Sequence, residues 1–409
     1  MSECSLHESG MLHPEINFFR SNHRVYYVAT GEFIQQSNGF RVPFYLCHIL
    51  NELGFEAYVT AQKQAPNLRT PLLTPEIIKK HKEDRREIIA VYTEAMWGNV
   101  LRGDVVVHWI LNRIGKLFDE ASFPNDLFFY WDTEYSKNEN NATFLRIPCV
   151  DDKVFYFENE LKRNRKGFAY YAHKFFRDFN GVIPREIKEN GISLCQDIPR
   201  THGEIADVLR NVEALYCFED SALMMEAVAC GCIVIFVKTE FTSYIRENAK
   251  YIDYIVEIED VNIDRRVGYT GSAYNDFLNE KTKIESSIND FITATQQSEV
   301  CKSIIADPMV LFFGKYKTVY IFGTGLTAEV VYNAIRVAGF DINGFIISDG
   351  INLGDSKQKF GHPVLSFSSF LKIKTVETGV ITAMIGQYYK QVLPFLEKHS
   401  INVCNPVIY

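Results

Sequence analysis

Between Glu213 and Val237 the chain reads EALYCFEDSALMMEAVACGCIVIFV, and this stretch carries the residue types that a phosphorylated, hydroxyl-bearing ligand would need. The spacing predicts a short strand over residues 214–218, an acidic turn at Glu219 and Asp220, a helix opened by Ser221, a stop at Gly231 and a β-branched strand over 233–237. A helix that begins at the carboxyl end of a parallel strand points unpaired N–H groups and a partial positive charge into the crevice above the sheet. The N–H groups of Ser221, Ala222 and Leu223 would be those donors, and Glu226, one turn on, could accept two hydrogen bonds from a ribose diol. Together they would seat a nucleoside diphosphate. The same spacing equally suits a plain strand-turn-helix packing unit with Glu226 exposed on its helix.

Other reactive residues fall at predicted strand ends. Glu94 follows the strand 87–92, where crevice residues of a parallel sheet lie, and could orient or deprotonate a hydroxyl or merely complement a helix dipole. Asp132 and Glu134 follow the strand 126–131 in the same way. His173 and Lys174 follow the strand 168–172, with Arg177 close behind. Near the carboxyl terminus, KTVYIFGTGLTAEVV sets Gly323 and Gly325 between a strand and a helix, and Asp349 follows the next strand. That is how a Rossmann unit receives a dinucleotide, although Ala328 stands where a third glycine would and only about 95 residues remain, which is short for a complete dinucleotide domain.

The elements that must position these residues alternate between strand and helix, which predicts an α/β chain. Residues 1–150 form one Rossmann-like domain, 151–312 a second, and 315–409 a third, smaller one. In the first, Asn38-Gly39 lies in a long loop, Pro43 opens a helix from Val42 to Leu53, and residues 95–115 carry a helix with His108 on a largely apolar face. The third is expected to bury its own small core, so that a chain ending near Phe313 stays folded. A hydrophobic content of 47% over 409 residues supports two or three cores, and a net charge of −8 argues against a sequence-independent grip on nucleic acid. Nine scattered cysteines read as reduced small hydrophobes, so no metal site or disulfide is expected. No run of 18 apolar residues and no basic-then-apolar leader is present, so the expected location is the cytoplasm.

The central stretch resembles the donor-nucleotide motif of bacterial glycosyltransferases of the GT-B fold, those that build O-antigen and capsular polysaccharides. It carries the resemblance in Ser221, Ala222, Leu223, Glu226, Ala227, Ala229 and Cys230-Gly231-Cys232. A second likeness runs through Glu94, Gly98-Asn99-Val100-Leu101, His108-Trp109 and Leu111-Asn112-Arg113-Ile114-Gly115, with Val100 where the family has Pro. The resemblance implies two Rossmann-like domains facing a cleft, with Gly39 in a loop near the donor phosphates. It gives Lys174, or failing it Arg177, the task of neutralising the departing diphosphate. The first acid of the retaining relatives falls here on Phe218, and Glu219 stands one place later.

The reading is therefore a sugar transferase with Glu94, Lys174 and Glu219 as catalytic candidates. Its partners would be a nucleotide-sugar and a glycan or lipid-linked glycan acceptor, with no nucleic acid. Peripheral attachment to the inner face of the membrane is compatible with it. No cofactor is required. Two alternatives stand beside it: an NAD(P)-dependent oxidoreductase using Gly323, Gly325 and Asp349, and a non-catalytic sugar-nucleotide-binding scaffold.

Overall fold

Short runs of β-branched and aromatic residues, buried on both faces, suit the middle of a parallel sheet, and the chain has many of them. The computed structural model describes residues 23–406 apart from 36, 113–124, 133–134, 137–141, 148–149, 158–164, 199, 243–249, 262–267, 269, 301–307, 352–356 and 385. Glu134 and residues 113–115, singled out above, lie outside the described residues. Within them the protein is α/β, with Rossmann-like parallel sheets.

The first sheet contains β1 (Val25–Val28), β2 (Ala57–Val59), β3 (Ile88–Thr93), β4 (Val105–Ile110), β5 (Leu127–Tyr130) and β6 (Thr143–Phe144), in the order β2-β1-β3-β4-β5-β6. Every pairing in it is parallel. The second contains β7 (Phe168–Tyr171), β8 (Ile192–Ser193), β9 (Ala214–Cys217), β10 (Ile233–Lys238) and β11 (Tyr254–Glu257), in the order β11-β10-β9-β7-β8, again all parallel. The third contains β12 (Thr318–Phe322), β13 (Gly344–Ile347), β14 (Gln358–Lys359), β15 (His362–Ser366), β16 (Thr378–Thr382) and β17 (Asn402–Cys404). Its order is β14-β15-β13-β12-β16-β17, with only β14 antiparallel.

Two local expectations are corrected. Residues Val105–Ile110 form a strand and not a helix, because a six-residue VVVHWI run buried on both faces is indistinguishable from a buried helix by period alone. His108 is fully buried there, its ring 4.6 Å from Trp97 and its Nε2 2.8 Å from Asp126 Oδ2. Gly39 sits in the first turn of the helix Asn38–Glu52 and not in a loop; the helix starts four residues before the expected Val42 and carries Pro43 within its second turn. A proline this close to the start removes few helical hydrogen bonds, so it does not mark the boundary.

The chain divides into two compact units, one of residues 1–35, 39–147 and 286–409, the other of 36–38 and 148–285. The first unit holds the first and third sheets on one continuous core. Tyr27, Ala29, Tyr92, Met96 and Leu101 from the amino-terminal segment share it with Met309, Val331, Ile335, Phe345 and Ile381. The helix Leu326–Val337 lies between them and is buried almost all round. Its Asn333 Nδ2 donates to the Thr30 carbonyl at 3.3 Å, and its Arg336 donates to the Thr60 carbonyl at 3.2 Å. Trp97 N donates to the Pro406 carbonyl at 2.6 Å. The carboxyl-terminal segment is thus not a self-contained appendix: removing it would strip one wall from the core of the first sheet.

The second unit has cores of its own on both faces of its sheet, one around Leu215, Ala227 and Phe236 and the other around Tyr170, Phe175 and Ile235. Its helix His202–Asn211 starts with the expected capping box between Thr201 and Glu204. The helix Ser272–Gln297 begins in the second unit, where Ala273 is buried, and ends in the first, where Phe291 stacks on Tyr26 at 5.9 Å. No helix among the described residues is long and apolar enough to cross a membrane.

Candidate functional site

In the second sheet the first strand in chain order, β7, is flanked by the second and third, β8 and β9. The connections from β7 and β9 leave in opposite directions, and at such a switch point a parallel sheet opens a crevice at its carboxyl end. The residues that follow the two strands are Ala172, His173 and Lys174 on one side and Phe218, Glu219 and Asp220 on the other. Two of the predicted site residues, Lys174 and Glu219, therefore come near each other. Glu219 Oε2 accepts from the Phe175 amide at 2.8 Å, and exposed Lys174 Nζ donates to the Asp220 carbonyl at 3.4 Å.

Glu219 is only 5% exposed. Burial raises its carboxyl above the usual range, and the nearby Lys174 ammonium opposes that rise. Its Oε1 is buried and has no hydrogen-bond partner among the described residues. A carboxylate oxygen left in that state is costly, so a donor arriving there would be held firmly. Tyr171, at the end of β7, was not singled out by sequence reasoning. Its hydroxyl bonds to Ser221 and accepts from Gln196 Nε2 at 3.4 Å, and burial, with the charge of Glu219, raises its pKa. The available signal was its place, two residues before His173 at the end of an aromatic strand.

The helix that follows is short, Leu223–Ala229, and all seven of its residues are buried. Leu223 N donates to Ser221 Oγ at 3.3 Å, so one of the three amides expected to meet a phosphate has a partner inside the chain. Ala222 is the N-cap, in helical geometry. Glu226, expected at the crevice or exposed, is 4% exposed. Gly231 ends the unit at φ +69°, and a Cβ there would lie 1.9 Å from the Phe157 ring, so both backbone and space require glycine. Arg177 is 60% exposed and forks onto Asp178 with bonds of 2.7 and 2.8 Å.

Glu94 stands at the end of β3, as expected, and is 7% exposed. Its Oε2 accepts from the Leu111 amide at 2.9 Å. Burial raises its pKa from 4.5 to about 7, against the opposing backbone amides of Leu111 and of Glu94 itself, which leaves a carboxyl able to take or give a proton near neutrality.

In the third sheet β12 lies between β13 and β16, so Gly323 follows β12 at a switch point of its own. Gly323 has φ +114°, and a Cβ there would press on the Ala383 carbonyl at 3.0 Å. Gly325 is the N-cap of the helix Leu326–Val337. Asp349 is exposed and accepts from the Ser368 amide at 3.0 Å, capping the helix Phe367–Ile373, and that bond lowers its pKa. Among the described residues no group of three or more His, Cys, Asp or Glu could hold a metal ion.

No protein-family model matches the chain, and no curated protein matches it. Among solved structures it is similar to the glycosyltransferase SnogD from Streptomyces nogalater, at 11% identity and a TM-score of 0.36, over 66% of this chain and 96% of that one. It is also similar to an α-glucosyltransferase solved with UDP and a 13-mer DNA containing an HMU base, at 11% identity and a TM-score of 0.32, over 68% of this chain and 97% of that one. Likenesses this weak do not bear on what this chain binds or transfers.

Proposed function

We propose that the chain transfers a sugar from a nucleotide-sugar donor, and that the unit containing residues 148–285 holds the donor. The observation that carries this reading is the pairing, at the β7/β9 switch point, of exposed Lys174 with buried Glu219, whose Oε1 lacks a partner among the described residues. A donor's diphosphate needs a cation close to the oxygen that gains charge as the glycosidic bond breaks, and Lys174 supplies one. A sugar's hydroxyls need acceptors, and Glu219 supplies an oxygen that has no partner among the described residues. Ser221, held by Tyr171, lies between these groups and the helix that carries Glu226.

Glu94 is assigned the acceptor's hydroxyl, since a buried carboxyl with a pKa of about 7 can remove a proton at neutral pH. The resemblance in the central motif supports a growing, lipid-linked bacterial surface polysaccharide as acceptor, retention at the anomeric carbon and work at the inner face of the membrane. No cofactor takes part in this reaction. The three-domain division of the sequence, 1–150, 151–312 and 315–409, serves the reading with the third segment as structural support for the first.

The test is a thermal-shift panel of UDP-, GDP-, dTDP- and CDP-sugars, followed by donor hydrolysis. One donor at 100 times its Kd should add about 2.7 kcal/mol of stability, and Glu226→Ala should reduce that shift. A protein that no sugar nucleotide stabilises is not a transferase of this kind. A second reading, NAD(P) binding at Gly323 and Gly325, is favoured by the β15-β13-β12-β16-β17 order of the third sheet. An NAD(P) titration that saturates would bring it forward.

A further inference from the structure

The first sheet has a switch point too, between β1 and β3, and two carboxylates diverge from it. Glu32, four residues past the end of β1, turns toward the β2 side, where its Oε1 accepts from the Gln62 amide at 2.8 Å. Glu94, at the end of β3, turns the other way, toward the end of β4 and the Leu111 amide. The gap between two such strand ends is where a sheet of this order takes a ligand. Glu32 Oε2 is buried and has no hydrogen-bond partner among the described residues. An ionised carboxylate offers about four acceptor positions, so leaving one of its oxygens dry and unbonded disfavours the empty state and rewards a donor that reaches it.

The loop that carries Glu32 is fixed from behind by the carboxyl-terminal segment. Asn333 Nδ2 donates to Glu32 Oε1 at 3.4 Å as well as to the Thr30 carbonyl, and Asn333 Oδ1 accepts from Gln62 Nε2 at 3.2 Å. Gly31 adds a close approach: a Cβ there would stand 3.5 Å from Glu329 Cβ and 2.7 Å from the Phe40 ring. Asn333 is fully buried on a helix whose other buried residues, apart from Tyr332, are apolar, and burying an amide is worthwhile only when its hydrogen bonds are made.

We propose that Glu32 and Glu94 bracket a binding site for neighbouring hydroxyls of a sugar, with Asn333 as the residue that positions Glu32. This inference rests on the transferase reading and deepens it, because the site is the acceptor's. Glu32 accepts hydrogen bonds from hydroxyls, and Glu94 handles the hydroxyl that reacts. The carboxyl-terminal segment then acts on substrate binding through one amide.

The experiment titrates the full chain, by calorimetry, with octyl β-glucoside, octyl β-galactoside and octyl N-acetyl-β-glucosaminide as probes. At least one probe should bind the wild type. Glu32→Gln, which keeps the shape and removes the charge, should weaken that probe about tenfold or more, the usual worth of a hydrogen bond to a charged group. Glu32→Asp retracts the charge by one methylene and should weaken it as well. Asn333→Asp, which sets a second carboxylate against Glu32, should weaken the glycoside while leaving the sugar-nucleotide titration of the same preparation unchanged. The inference is overturned if no probe binds the wild type, or if folded Glu32→Gln and Glu32→Asp both bind as the wild type does. It is also overturned if Asn333→Asp weakens donor and glycoside alike, since that would mark a general loss of structure. Failure of the transferase reading registers separately, as a wild type that binds no sugar nucleotide.

Discussion

The first and second sheets share a strand order around their switch points, yet the chain finishes them differently. The second is complete within residues 148–285, with a core on each face, and its switch point carries an exposed lysine beside a buried glutamate. The first borrows a wall from residues 286–409, and the helix Leu326–Val337 bonds to the loops after β1 and β2. The same topology can therefore be a self-sufficient binding unit or half of a larger one. The deciding factor is whether its own helices cover both faces.

The largest test of this contrast is removal of the third sheet. A chain ending at Phe313 should lose cooperative folding of the first unit, because the shared core is opened and the typical 5–15 kcal/mol of a domain cannot absorb that loss. The segment 148–285 should still melt as a unit. Near-UV circular dichroism and calorimetry of the truncated chain would check both halves, and a full native signal from the first unit would break the comparison.

Next in size is the buried acid of the first sheet. Glu94 has a folded pKa above its ordinary value, so the folded state holds its proton more tightly. Its stabilising contribution is complete below about pH 4.5 and is lost as pH rises through about 7. Glu94→Gln should therefore stabilise the first unit at pH 8 by up to about 3 kcal/mol and flatten its stability between those pH values. Denaturant titrations at pH 5 and pH 8 measure this, and equal gains at both would remove the cause assigned here. The same variant should abolish transfer, whose rate in the wild type should fall as pH drops below about 7.

In the second sheet Lys174→Ala should lower turnover about ten- to a hundredfold with little change in donor affinity, since charge on the leaving diphosphate grows mainly in the transition state. Equal losses in kcat and affinity would make Lys174 a ground-state contact and bring Arg177 forward. The smallest effect belongs to Thr201→Ala. Loss of the capping box on the helix His202–Asn211 should cost about 1 kcal/mol, and only in the second unit's transition. A shift in the first unit's melting as well would mean that the two units do not unfold independently.

Most of this architecture was legible in the sequence. The strands around Ala214–Cys217 and Ile233–Lys238, the Gly231 stop and the Thr201 cap followed from turn chemistry and burial pattern. The errors lay where local signals are degenerate: six apolar residues at Val105–Ile110 suit strand or helix, and Pro43 was given more weight as a helix start than Asn38. For the candidate site, strand-end placement put Glu94 just after β3 and set Lys174 and Glu219 near one another past the ends of β7 and β9. It could not find Glu32 or Asn333, which meet across about 300 positions of chain. The single local hint was a polar residue in the middle of the apolar stretch AEVVYNAIRV.

The insertion of residues 148–285 into the chain of the first unit sets an order of events during synthesis. Residues 25–144 leave the ribosome first, but the side chains that close their core, from Met309 to Cys404, are translated last. At roughly 5–20 residues per second the first sheet waits on the order of ten seconds to a minute with an apolar face uncovered. The inserted unit can fold during that interval. Slow codons placed after residue 285 should therefore lower the yield of folded protein more than the same codons placed before residue 148.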